Sequence, residues 1–348
     1  MNLKNNKLKV ICLASIVLVA LMVFFFITQI GPYNKNNKKD IVVDIPSGST
    51  VSKISDILYK NKLVKNKILF KLQIKVSNKA ENIKAGKYLL NQTYSNDDII
   101  NLLSSGKTYN DGIKVTFPEG STSNEIISIL VNKNLGDKDK FKELIKNPSE
   151  FYEKYEFLKE DDIKSLEGFL YPNTYYFDED DKEKEILSEM LGQFKKVYSD
   201  KFVKKQKELK LTIQQIVNLA SIIEKEAVLD KDRPIIASVF YNRLETGMPL
   251  QSDATIQYAF EERKKIVMYS DLEIESPYNS YKNKGLPPTP IANPGVKSIQ
   301  AALYPEDTEY LYFVAKIDGG NNYSKDYQQH LKNVEQYRQE REKLKNKK

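Results

Sequence analysis

The sequence predicts an α+β protein: one N-terminal transmembrane helix, then two outer parts that each mix strands with helices. Three features carry this reading. Val10 to Gln29 contains no charged residue. Ile45-Pro-Ser-Gly-Ser-Thr50 returns as Phe117-Pro-Glu-Gly-Ser-Thr122, each followed by helix-spaced apolar residues. Leu211 to Ala227 carries Ile213, Ile216, Val217, Ala220, Ile223 and Ala227 at three- and four-residue spacing, the mark of an amphipathic helix facing a core.

Residues 1–9 hold Lys4, Lys7 and Lys9 and no acid, and read as a cytoplasmic N-terminus. Residues 10–30 form the anchor, long enough to cross a bilayer and longer than a signal-peptide core. No small-x-small cleavage site follows; the run leads into Ile30-Gly-Pro-Tyr33. Lys35, Lys38 and Lys39 on the far side weaken the charge asymmetry, but a single-pass, N-in topology is expected, with the rest outside the cell membrane. Cys12, the only cysteine, lies inside the anchor behind Ile11, so neither lipidation, a disulfide nor a thiol nucleophile is expected.

His330 is the only histidine, which excludes a His-rich metal site and leaves one candidate for a Ser-His-Asp arrangement. No metal or cofactor is expected. The +7 formal charge suits an anionic envelope surface and equally suits plain solubility; nucleic acid is not an expected partner. Trp is absent, but 22 tyrosines can supply the flat faces on which sugar rings stack.

After a linker at 31–40, residues 41–110 form the first outer module and 111–335 the second, with a charged tail at 336–348. Each repeat copy reads as a strand, a Pro/Gly turn with Ser/Thr at a helix N-cap, and a helix. Such a unit can be a spacer or can grip a polymer. Ile83 to Leu90 reads as a strand, and Ser95 to Gly106 as a capped helix ended by glycine. Phe141 to Glu160 reads as a helix broken at Pro148. Leu166 to Phe177 reads as a strand and turn, with Glu167 and Asn173 as embedded polar groups that need partners. Glu183 to Lys210 reads as one polar helix.

On the central helix, at about 100° per residue, Glu224 falls on the apolar stripe, whereas Glu226 points away from it. Desolvation there would raise the pKa of Glu224 and keep it protonated as a general acid. The same position also suits a glutamate that snorkels to water or is held by an arginine, and such structurally partnered glutamates are common. Asp232-Arg-Pro234 opens a second helix, Ile235 to Leu244, ended by Gly247. Gln251 and Asp253 sit at a turn before a third; Asp253 is an N-cap or a substrate ligand. Ser276 to Tyr281 and Gly285 to Gly295 form a proline-stiffened wall or an inert loop. Ser298 to Leu303 reads as a helix, Leu311 to Ala315 as a buried strand, Asp318 to Asn322 as a turn, and the chain from Tyr327 as a charged helix.

Leu219-Ala-Ser-Ile-Ile-Glu-Lys-Glu-Ala227, Ala237-Ser-Val-Phe-Tyr-Asn-Arg-Leu244, Leu250-Gln-Ser-Asp-Ala-Thr255, Tyr278-Asn-Ser-Tyr281, Gly285-Leu-Pro-Pro288 and Tyr310-Leu-Tyr-Phe-Val-Ala315 occur in this order. Together with Leu166 to Phe177 they resemble the YceG-like (MltG) endolytic murein transglycosylases, over about Asp44 to His330. The resemblance implies a LysM-like module followed by a YceG-like α+β catalytic domain. It implies cleavage of the β-1,4 bond after N-acetylmuramic acid within peptidoglycan strands, leaving 1,6-anhydro ends. It also implies work beside peptidoglycan synthases. The family's catalytic glutamate is the first of Glu-Lys-Glu, here Glu224. Asn173 stands for the usual Asp, Ala227 for Thr, and Leu331 for the Asn after His330, which puts a role for His330 in doubt.

The expected mechanism has Glu224 protonate the leaving oxygen and then take the proton of the C6 hydroxyl as it attacks C1. Gln251, Asp253, Tyr278 and Asn279 are expected to bind substrate. Glu226 is a secondary binding candidate, because residues two apart do not share a helix face. Two rivals stay open: a muramidase-type hydrolase using Glu224, Asp253 and water, and a non-catalytic wall-binding scaffold.

Overall fold

A computed structural model describes residues 2–109, 112–160, 163–260, 264 and 267–346, without the side chains of residues 2–12 and 14. The expectations for Lys4, Lys7, Lys9 and Cys12 lie outside the described side chains. The chain folds as two units, residues 1–111 and 112–348.

The first unit begins with helix α1 (Asn2–Ile30), whose large apolar side chains from Leu13 to Ile27 are exposed. Among the described residues no helix is long and apolar enough to cross a membrane. Then come β1 (Asp40–Ile45), α2 (Val51–Lys60), α3 (Lys67–Val76), β2 (Gly86–Asn91) and α4 (Asn96–Ser105). β1 and β2 pair antiparallel, Val43 opposite Tyr88. Their period-two pattern puts Val43, Ile45, Tyr88 and Leu90 on one buried face, against Ile54 and Leu58 of α2, Phe70 and Ile74 of α3, and Ile99 and Leu103 of α4. Thr50 caps α2 by accepting the Lys53 amide, after a turn in which Gly48 takes a φ of 72°. α3 is an addition to the sequence reading. Its apolar residues alternate, from Ile68 to Val76, as a strand's would.

The second unit runs β3 (Ile113–Thr116), α5 (Ser123–Val131), α6 (Lys138–Lys146), β4 (Thr174–Phe177), α7 (Glu183–Val197), α8 (Asp200–Leu209) and α9 (Ile213–Glu226). It continues with α10 (Arg233–Glu245), α11 (Asp253–Ala259), α12 (Val296–Leu303), β5 (Tyr312–Ala315), β6 (Asn321–Ser324) and α13 (Tyr327–Lys345). β3 pairs antiparallel with β4 and β5 with β6. The second repeat copy forms β3, a turn in which Gly120 takes a φ of 77°, and α5 capped by Thr122 and Glu125 in a reciprocal box.

Four details differ from the sequence reading. The polar helix expected over Glu183 to Lys210 is two helices, broken at Tyr198, which turns inward to stack on Phe194 and donate to Gln206 Oε1 at 2.9 Å. The turn expected at Asp318 to Asn322 ends in a strand, because β5 needs a partner for its edge. β5 is half-buried rather than buried. Asn173, expected to be embedded, is exposed.

α9 is the centre of the second unit. Ile213, Ile216, Val217, Leu219, Ala220, Ile222 and Ile223 are all buried, so the helix is enclosed on every side by α8, α10, α11 and α12. Each of these isoleucine and leucine side chains contributes about 1.5–3 kcal/mol by leaving water. Its buried polar residues clamp the proline-rich segment 285–295. Gln214 Nε2 donates to Pro288 O at 3.4 Å, Asn218 Nδ2 to Pro287 O at 2.6 Å, and the Ile291 amide donates to Ser221 Oγ at 3.0 Å. An irregular chain with few amide donors of its own is thereby fixed against the helix that carries Glu224 and Glu226.

Candidate active site

A cleft of about 1360 Å³ opens beside the C-terminal turn of α9. One wall is the Pro118–Thr122 turn with α5; the other is α11 with Phe260 and Tyr278; Lys225 and Glu226 stand between them. Tyr258 and Tyr278 pack at a 58° tilt with ring centroids 4.9 Å apart, and the Tyr278 hydroxyl bonds Thr289 Oγ1 at 2.8 Å. The corner sets aromatic faces beside hydrogen-bonding groups.

Glu226 is the last residue of α9, and its carboxyl group reaches the cleft because the helix stops there. Burial pushes its pKa up, and the charge of Asp253 pushes it further. Ser252 Oγ donates to Glu226 Oε1 at 2.5 Å and opposes that rise, as does the guanidinium of Arg243. The donor is itself held. Ser252 N donates to Ser280 Oγ at 3.0 Å, and Arg243 Nη1 donates to Leu250 O at 2.7 Å, just before it in the chain. Gln251 between them takes a φ of 51°, a left-handed conformation uncommon outside glycine.

Glu224, the expected acid, occupies a different setting. Arg233 Nη1 donates to its Oε1 at 3.2 Å and Gly295 N to its Oε2 at 2.9 Å. Gly295 is the N-cap of α12, so the carboxylate sits on a helix N-terminus as well as on a guanidinium. Both carboxyl and guanidinium side chains are less than a tenth exposed. Arg233 also reaches Asp230 Oδ1 at 3.2 Å and Ser298 Oγ at 2.5 Å. Glu224 therefore joins α9, α10 and α12, with both oxygens occupied by donors that complement a negative charge. Glu224 is held by an arginine, as one of its two readings had it, and is not among the cleft-lining residues; Glu226, which helical periodicity had set aside, lines the cleft together with Glu119, Glu125 and Asp253. Periodicity reports which face of a regular helix meets the core; it does not report what packs over a final turn.

Two further carboxyl groups of the cleft lining, Glu119 and Glu125, were not foreseen. Glu119 lies over Gly295, where an added Cβ would come within 2.1 Å of its Oε1. Burial raises its pKa, and the neighbouring Glu224 charge adds to the rise. The repeat held a signal for it: Glu119 stands where the first copy has Ser47. Glu167, correctly read as an embedded group needing partners, accepts the Ser123 amide at 3.0 Å on each oxygen, Asn293 Nδ2 at 2.9 Å and the Tyr258 hydroxyl at 3.2 Å. Burial pushes its pKa up to about 7. Asn293 Oδ1 in turn accepts the Gly168 and Leu170 amides at 2.9 Å each. This network ties the cleft's aromatic corner to the N-terminus of α5.

Of the residues expected to bind substrate, Asp253 and Tyr278 line the cleft; Gln251 and Asn279 do not. Asp253 is the first residue of α11, not its cap, and accepts the Tyr281 hydroxyl at 2.5 Å. Gln251 is exposed on its turn. Asn279 is fully buried and folds its own loop, donating to Leu272 O at 2.8 Å and Ile274 O at 2.9 Å. Tyr258 and Lys225 are cleft residues that sequence reasoning passed over, since nothing local distinguishes them from ordinary helix residues. His330 stacks on Tyr312 at 5.2 Å and is not part of the cleft lining.

The model of the YceG-like family matches residues 43–336 of the chain. An endolytic murein transglycosylase of Bacillus subtilis is 38% identical over 317 residues, which cover 88% of this chain and 87% of that protein. Endolytic murein transglycosylases from two strains of Streptococcus pneumoniae are 33% identical over 342 residues, 90% of this chain; the match spans 61% of their length. A crystal structure of a yceG-like protein from Listeria monocytogenes shares 38% identity and a TM-score of 0.59, covering 85% of this chain and 99% of that one. The chain is a member of the YceG-like family.

Proposed function

We propose that this protein is an endolytic murein transglycosylase whose single acid/base is Glu226. The observation that carries the assignment is a carboxyl group lining the cleft, where burial favours the protonated form and one hydroxyl donor fixes the orientation. The names borne by its relatives from Bacillus subtilis and Streptococcus pneumoniae support the reaction class. Glu226 gives its proton to the glycosidic oxygen as the C1–O4 bond breaks after N-acetylmuramic acid. The C6 hydroxyl of the same sugar attacks C1, and its proton passes to the Glu226 carboxylate. The enzyme returns to its starting state, no water is consumed, and the strand ends in a 1,6-anhydro ring. One carboxyl group acts twice, unlike the pair used by most glycoside hydrolases. Tyr258 and Tyr278 stack sugar rings, and Asp253 bonds a hydroxyl or N-acetyl group. Glu224 holds α9, α10 and α12 together around the site.

The uncharged run Val10 to Gln29, counted with the residues whose side chains are not described, supports reading α1 as the membrane anchor, with the N-terminus in the cytoplasm. The β1–α2–α3–β2 unit is a LysM-like module, a spacer or a grip on the wall polymer, and the enzyme works beside peptidoglycan synthases on nascent strands. Asp253 and Glu119 in the same cleft favour a second reading, a muramidase that uses a further carboxylate and water. Digestion of purified glycan strands in ¹⁸O-water, read by mass spectrometry, separates the two. Anhydro ends without label are expected, and labelled reducing ends would establish the hydrolase.

A further inference from the structure

We propose that the outward face of α3 seats the protein on the anionic lipid surface beside its anchor. α3 is apolar on two opposite faces. Phe70 and Ile74 are fully buried in the first unit's core, while Ile68, Leu72 and Val76, one turn apart, are 72%, 52% and 75% exposed. An ordinary surface helix has a single apolar stripe. A second, outward stripe of this kind marks a contact surface.

Two observations name the occupant. α3 packs against α1, and Lys65 Nζ, just before α3, donates to Thr28 O at 2.8 Å, at the outer end of the apolar run. This step rests on the reading of α1 as a membrane anchor; the lipid headgroups then lie at the level of α3. Lys67, Lys71 and Lys75 repeat beside the stripe, and residues 51–80 hold eight lysines against one acid, Asp56. That excess of +7 equals the formal net charge of the whole chain. A helix with lysines flanking an apolar face inserts that face about 5–10 Å into the headgroup boundary, and anionic lipid strengthens the binding. A soluble anionic polymer would satisfy the lysines and leave the stripe in water. The bilayer satisfies both.

The test uses the full chain with Cys12→Ser and one spin-labelled cysteine at a time, Leu21→Cys, Leu72→Cys or Ser105→Cys. Each protein is reconstituted in vesicles of phosphatidylglycerol with phosphatidylcholine, or of phosphatidylcholine alone. Collisions are measured with oxygen, which concentrates in lipid, and with a nickel chelate confined to water. The expected result is a lipid environment at 21 and water at 105. At 72, nickel collisions fall several-fold and oxygen collisions rise when phosphatidylglycerol is present. If position 72 stays as open to nickel as 105 while 21 is in lipid, the proposal fails and the anchor stands. Nickel reaching 21 overturns the anchor, and the proposal with it. Shielding of 72 from both reagents overturns the proposal in favour of a protein covering the stripe. Equal insertion on phosphatidylcholine alone overturns the requirement for anionic lipid.

Discussion

Glu167 makes a measurable link between pH and folding. It is 3% exposed, and burial raises its pKa from 4.5 to about 7 despite its hydrogen bonds to Ser123 and Tyr258. At about 1.4 kcal/mol per unit, ionising it in the folded protein costs about 3 kcal/mol. Because the folded pKa is the higher one, the folded chain binds more protons than the unfolded chain between the two values. The stabilising contribution is therefore complete below pH 4.5 and lost as pH rises through 7. Integrated from about pH 5 to about pH 8.5, the loss from this group is about 2.5 kcal/mol. Glu167→Gln cannot ionise, and its amide oxygen can keep the Ser123 bond. The variant should be less stable than wild type at pH 5, and this deficit should shrink or reverse by about 2.5 kcal/mol at pH 8.5. Urea unfolding of both proteins at the two pH values, followed by circular dichroism, reads the difference. Taking differences between the two proteins cancels Glu119, Glu189 and Glu226, whose pKa values are also raised. A stability gap independent of pH would refute the reasoning.

Two further outcomes follow from the site. Arg233→Ala leaves Glu224 buried with the Gly295 amide as its remaining hydrogen-bond donor among the described residues, so the loss should approach the roughly 3–5 kcal/mol of a broken buried pair. In Glu224→Gln the same change should cost much less, which a double-mutant cycle by urea unfolding will measure. Ser252→Ala removes the donor that favours the Glu226 carboxylate, so the acid stays protonated to higher pH. The alkaline limb of the kcat/KM profile should move up, and an unmoved limb would separate Ser252 from the acid.

The sequence disclosed what is local and repetitive. The strand–turn–helix repeat, the Ser95 and Thr122 caps, the Gly106 stop and the apolar stripe of α9 depend on neighbours within a few residues, and each stands in the structure where those residues place it. α3 was missed because its two opposed apolar faces imitate the alternation of a strand. The different settings of Glu224 and Glu226 were illegible for a similar reason. Both lie in the last turn of α9, and partners beyond the helix set their surroundings: Arg233 and Gly295 for one, Ser252 for the other. Asn279 looked like a sugar-reading amide, but its own loop consumes its hydrogen bonds.

The central claim is that Glu226, not Glu224, moves the proton. Full-length Glu226→Gln and Glu224→Gln, each shown to be folded by circular dichroism, should be compared with wild type on purified glycan strands, with anhydro ends counted by mass spectrometry. A positioned acid/base is worth about 10²–10⁴-fold, so Glu226→Gln should lose at least two orders of magnitude in kcat, while Glu224→Gln keeps its rate to within about tenfold and melts earlier. Full activity in Glu226→Gln alongside a folded, inactive Glu224→Gln would return the chemistry to Glu224.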